Sequence, residues 1–141
     1  MFLEQDRKLG RNSFRAIAVN TARTDLMGLK HIELKDRILI GQTVVKGHGV
    51  GTDNAAGARI TMDEVDSIVS AIDRKGTHDV DAFMVVAGLG GGTGSGGTPV
   101  LVRQLKNIIQ QEGYRVSDRA LYPIARAAEG SMRDAQSLMD Q

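Results

Sequence analysis

Seven glycines crowd into ten residues, at positions 88, 90, 91, 92, 94, 96 and 97. Glycine lets a backbone turn through positive φ and leaves no Cβ between its amides and a ligand. What flanks the run matters as much. Ala82–Gly88 is apolar throughout, as expected for a central strand covered on both faces. After the run, Thr98 reads as a helix cap with Pro99 at the first helical position, where a missing amide costs nothing. Leu101, Leu105, Ile108 and Ile109 give that helix its buried stripe, and Gly113 closes it. A strand, a glycine loop and a helix in that order form an anion cradle: amides converge, and the helix start adds its partial positive charge. Thr93, Ser95 and Thr98 can add hydroxyl bonds to phosphate oxygens. A bare glycine turn without a ligand is the simpler alternative.

The kind of phosphate is a separate question. There is no Gly-Lys-Ser/Thr, so a Walker loop is excluded. Gly92, Gly94 and Gly97 fit the dinucleotide spacing, but in so glycine-dense a stretch that match carries little information. The acid about twenty residues on, Glu112, falls at a helix end rather than a strand end, which argues against a Rossmann site.

The remaining sequence bounds the class. A chain of 141 residues with 41% apolar content makes one domain, residues 1–141, with a real core. Aromatics are only 4%, so that core is aliphatic. A net charge of +1 lacks the basic excess of a nucleic-acid binder, and no nucleic-acid partner is expected. With no cysteine, disulfides and thiolate chemistry are excluded. No apolar run approaches a membrane span, and the charged start Met1–Gly10 does not read as a signal peptide; a soluble, cytoplasmic protein with no membrane partner is expected. His31, His48 and His78 are scattered without ligand spacing, so no metal site is expected.

Further elements follow from periodicity. Phe14–Asn20 reads as a buried strand and Arg37–Gly41 as a second one ended by glycine. Gly47–Gly57 reads as a loop. Thr61 followed by Glu64 is a capping-box pattern opening a helix to about Lys75, with Met62, Val65, Ile68, Val69 and Ile72 at helical spacing. Beyond Gly113, Ser117–Glu129 and Ser131–Asp140 read as two short amphipathic helices. The fold class is α/β: a small, mainly parallel sheet of about three strands, flanking helices and a helical C-terminal tail.

The run Gly90-Gly-Gly-Thr-Gly-Ser-Gly96 resembles the phosphate-binding signature of the tubulin/FtsZ superfamily. Ala18–Thr21 resembles the end of that family's second strand, and Gly47–Gly57 its γ-phosphate loop. Lys46–Gly51 and Ala82–Gly92 look closest to the archaeal CetZ branch. The resemblance covers residues 1–105. It implies phosphate contacts at Gly90, Gly91, Gly92, Thr93, Gly94, Ser95 and Gly96, and at Gly49 and Gly51. The family's first strand and first glycine loop, its base-binding central helix and its acidic catalytic loop have no counterpart in the 141 residues.

Residues 106–141 instead resemble the helical lid of the bacterial clamp-loader AAA+ ATPase subunit, with Gly130–Ala135 matching its sensor motif and Arg133 its arginine. The expectation is therefore a recombined, engineered chimera without enzymatic activity, of interest for its fold and with no catalytic residues. The alternative is a weak nucleotide- or phosphate-binding remnant of an FtsZ/CetZ-like GTPase. No cofactor is required on the first reading, and GTP, GDP or phosphate binds weakly on the second. Loss of a central strand leaves two inner sheet edges, so a homodimer is expected.

Overall fold

The computed structural model describes residues 2–76 and 80–111. In chain order their elements are α1 (Phe2–Lys8), β1 (Ala18–Asn20), α2 (Arg23–Met27), β2 (Arg37–Leu39), α3 (Gln42–Val45), α4 (Asn54–Asp63), α5 (Val65–Asp73) and α6 (Gly92–Gln111), with a 3-10 turn at Leu34–Asp36. They fall into two compact units. The first holds the residues up to Val50 together with Asp63–Met84, and the second holds Gly51–Met62 and the described residues from Val85 onward.

In the first unit, β1 and β2 pair in parallel, with Ala18 opposite Arg37, Val19 opposite Ile38 and Asn20 opposite Leu39. The Ile40 amide prolongs the ladder onto the Asn20 carbonyl at 3.0 Å. Parallel neighbours need a crossover; α2 and the 3-10 turn supply it, and α2 packs on both strands. Leu26, Ile40, Ile68 and Ala71 are buried, and α5 lies against β2. A small parallel sheet with flanking helices is thus the α/β arrangement expected.

Its extent differs. The strand expected from Phe14 starts only at Ala18, because the buried Asp6 carboxylate takes the amides of Ser13 at 2.8 Å and Phe14 at 3.2 Å. Those donors are committed to a side chain and not to a neighbouring strand. Ala82–Gly88, expected as a covered central strand, joins no ladder among the described residues, and Phe83, Met84 and Val86 are exposed. Apolar sequence alone does not make a strand; it needs a neighbour's carbonyls and amides. Among the described residues the sheet therefore has two strands rather than about three.

The single helix expected over Thr61–Lys75 is two helices, broken at Glu64. No capping box forms. The Thr61 hydroxyl donates back to the Gly57 carbonyl at 2.8 Å, inside α4. The Glu64 carboxylate accepts the Gly41 amide at 2.7 Å, at the exit of β2.

In the second unit, α4 is capped by Asp53, whose carboxylate accepts the Ala56 amide at 2.9 Å. The expected loop thus ends at Asp53 rather than Gly57. The largest revision concerns α6. It begins at Gly92, with Thr98 and Pro99 inside it, where Pro99 has no amide to offer the Ser95 carbonyl. Sequence rules place the start at Thr98 because glycine is a poor helix former. Close packing overrides that propensity: a Cβ at Gly92 would collide with the Asp53 backbone, one at Gly57 with the Gly92 carbonyl, one at Gly96 with the Asn54 carbonyl, and one at Gly97 with the Thr61 side chain. None of the glycines from 88 to 97 has positive φ. At Gly92, Gly94, Gly96 and Gly97 the missing side chains, and not unusual dihedrals, are what the fold uses. The tail helices expected beyond Gly113 lie outside the described residues.

Candidate phosphate-binding site

In the second unit the starts of two helices lie side by side. Asp53 ends one turn and caps α4, and Gly92 opens α6 against the Asp53 backbone. The Gly51 carbonyl accepts the Gly92 amide at 2.7 Å, which ties the turn at residues 51–53 to the first residue of α6. The Ser95 amide reaches the Gly91 carbonyl at 2.9 Å, and the Ser95 hydroxyl donates to the Leu89 carbonyl, folding the residues before α6 onto its first turn.

Of the residues expected to hold phosphate, Gly51 and the run Gly90–Gly96 come together in this unit. Their roles divide by exposure. Gly92 and Gly96 are buried beneath the α4 backbone and serve packing. Gly90 is exposed, and Gly91, Thr93, Gly94 and Ser95 are half-buried. The accessible part is therefore the turn Gly90–Gly91 and one side of the first turn of α6. First-turn amides have no intrahelical acceptor, and the aligned peptide dipoles leave partial positive charge there. The Gly92 and Ser95 amides and the Ser95 hydroxyl are already given to carbonyls, so what this end offers an anion is the side-chain-free turn before Gly92 and the partial positive charge of the helix start.

Gly49 belongs to the first unit and is held there by the exit of β1. Its amide donates to the Thr21 carbonyl at 3.1 Å, the Arg23 amide to the Gly47 carbonyl at 2.9 Å, and His48 bridges to Ala22. Asn20 shapes that exit, its side-chain oxygen accepting the amides of Thr21 at 2.7 Å and Ala22 at 3.2 Å. Gly49 has φ of 83°, and a Cβ on it would sit 3.3 Å from the Ala22 Cβ, so this glycine is required by both conformation and space. Sequence reasoning missed Asp53 and Asn20. Both are short polar side chains next to an element boundary, which is the available signal for a cap or turn. Among the described residues no group of His, Asp and Glu could hold a metal, and no helix is long and apolar enough to cross a membrane.

The sequence matches the Tubulin/FtsZ family, GTPase domain, over residues 2–137. The chain belongs to the tubulin/FtsZ family. Within it, the chain is 54% identical over 114 residues to the tubulin-like protein CetZ1 of Haloferax volcanii, an alignment covering 80% of this chain and 29% of that one. The tubulin-like protein CetZ of Pyrococcus abyssi is 46% identical over 94 residues, covering 66% and 26% of the two chains. Among solved structures, the GDP-bound monomer of Haloferax volcanii CetZ1 superposes with a TM-score of 0.72 at 55% identity, covering 76% of this chain and 33% of that one. The GTPγS-bound protofilament of CetZ2 from the same organism gives 0.66 at 43% identity, covering 75% and 31%. The chain thus spans about a third of the length of these relatives.

These matches overturn the expectation of an engineered chimera. The family match runs across the supposed junction at residues 105 and 106 and continues to residue 137. What suggested two origins was the likeness of residues 106–141 to a clamp-loader lid, of which only residues 106–111 are among those described.

Proposed function

We propose that the chain is the phosphate-binding part of a CetZ-like GTPase and binds the phosphates of GTP or GDP weakly at Gly90–Ser95, where α6 begins. One observation supports this above the others: the exposed turn at Gly90–Gly91 carries no side chain and leads into the positive end of a long helix, in a chain 55% identical to a GDP-bound relative. Such a turn recognises phosphate and not a base. The 141-residue chain should therefore bind GTP and ATP alike, and inorganic phosphate more weakly. Isothermal titration with the four ligands is the test; micromolar binding of GTP with a clear preference over ATP would refute this division of labour.

Self-association belongs to the same proposal. One relative is a protofilament, and in this chain's first unit the apolar neighbours Phe83 and Met84 are both exposed. Single exposed apolar residues are ordinary, whereas contiguous ones mark an interaction surface. A homodimer that covers this pair is the expected state, and light scattering would show a mass near twice 15.2 kDa.

A further inference from the structure

The first unit carries a cavity of about 550 Å³ at the end of the sheet where its strands begin. Phe14, Arg15 and Ala16 reach it ahead of β1, and Lys35 and Asp36 ahead of β2. The loop containing Gly49 is bonded to Thr21 and Ala22, beyond the other end of β1. The cavity is thus distinct from that loop, and its size is that of a small-molecule site, about 300–1,000 Å³.

Leu3, Phe14 and Ile32 give it an apolar wall. Five cationic side chains share the lining with the carboxylates of Glu33 and Asp36. Both carboxylates are already engaged by lysines: Glu33 by Lys35 at 2.9 Å, and the buried Asp36 by Lys75. The remaining cations, Arg7, Arg15 and Arg74, make no salt bridge with the described residues. Arg15 donates to the carbonyls of Lys75 and Gly76 at the end of α5, and Arg7 to the His31 carbonyl at 3.1 Å. These bonds fix two guanidinium groups in place while each keeps further N–H donors, since the group carries five. Fixed guanidinium forks match the oxygens of a phosphate or carboxylate.

We propose that this cavity binds a small phosphate monoester with an aromatic body. The oxyanion would meet Arg7, Arg15 and Arg74, and the ring would lie on the wall of Phe14 and Ile32. An apolar wall beside arginines that have no carboxylate partner among the described residues favours such a ligand over inorganic phosphate, which has nothing to place there, and over a neutral aromatic, which brings no anion to them.

The test is an amide-resolved NMR titration of the 141-residue chain with phenyl phosphate, inorganic phosphate and phenol. Phenyl phosphate should give saturating shifts at residues 12–16, 31–36 and 74–75, with the other two probes about tenfold weaker there. Arg74→Gln should weaken phenyl phosphate several-fold. The Arg74 side chain is exposed and makes no bond to a described residue, its amide alone donating to the Ser70 carbonyl, so this variant keeps its fold. Pairing Arg7→Gln with it should weaken binding further. No saturable shift at these residues, shifts confined to residues 51–54 and 88–96, or an affinity unchanged in Arg74→Gln would each overturn the proposal.

Discussion

The carboxylate of Glu64 accepts the amide of Gly41 at 2.7 Å, joining the break between α4 and α5 to the residue that follows β2. Gly41 is buried and left-handed, with φ of 70°, so its amide lies where water cannot replace a lost partner. Glu64→Ala should cost about 1–3 kcal/mol through the unpaired donor. Glu64→Gln keeps an acceptor and should cost less than half of that. Urea denaturation of the two variants checks the ordering; equal losses would mean the bond contributes nothing.

The glycine run makes a sharper contrast. Gly96→Ala drives a methyl group into the Asn54 carbonyl, whereas a Cβ at Gly90 meets nothing within 4 Å and Gly90 has no positive φ. Gly96→Ala should therefore destabilise by about 1–3 kcal/mol or more, and Gly90→Ala should be close to neutral. If the run acted only as a flexible turn, the two substitutions would behave alike in thermal unfolding.

Asp36 is 3% exposed and its one ion-pair partner among the described residues is Lys75, on the residues that follow α5. Removing that partner leaves a buried carboxylate uncompensated. Lys75→Met should lower stability by about 1–3 kcal/mol, less than a fully buried pair would because Lys75 is partly solvated. Adding Asp36→Asn to Lys75→Met should recover part of the loss; a double variant no better than the single one would contradict this assignment.

Among the described residues two surface carboxyls are shifted by neighbouring lysines. The Lys8 ammonium beside Glu4 and the Lys35 ammonium beside Glu33 hold both carboxyls below the ordinary glutamate range, and Glu33 in turn raises Lys35. A depressed folded-state pKa stabilises fully above the unfolded value and loses that contribution as pH falls through the folded one. Both pairs lie at the surface, so their contribution should be small and should vanish in high salt. Acid unfolding of Glu33→Gln at low and high salt reads this: a difference from the parent chain that persists in high salt would contradict it.

How much of this was legible depended on which force dominated each segment. β2 could be read because the apolar run Ile38–Ile40 that follows Arg37 is short and stopped by Gly41. Ile68 was placed in the core by helical spacing and is fully buried. Met62 was assigned to the same stripe but is 62% exposed, because the break at Glu64 puts it on a different helix from Ile68. The start of α6 was illegible for a related reason. Local propensity says Gly92–Gly97 is not helical, and only the approach of the α4 backbone, invisible in one dimension, makes glycine the residue that fits. The family, by contrast, was carried openly by Gly90–Gly96, since a run constrained at once by packing and by an exposed amide turn has few sequence solutions. Ala82–Gly88 looked like a strand because its composition is that of one, while its pairing depends on neighbours that composition does not name.

The claim that phosphate binds where α6 begins is tested most directly by calorimetric titration of GDP into the parent chain and into Gly90→Asp and Gly90→Asn. Position 90 is exposed and open, so both variants keep the fold, and they differ by one negative charge at the accessible turn. Saturable GDP binding by the parent chain and Gly90→Asn, weakened about tenfold or more in Gly90→Asp, is the predicted result. No GDP binding by the parent chain, or binding indifferent to the new carboxylate, would contradict the account.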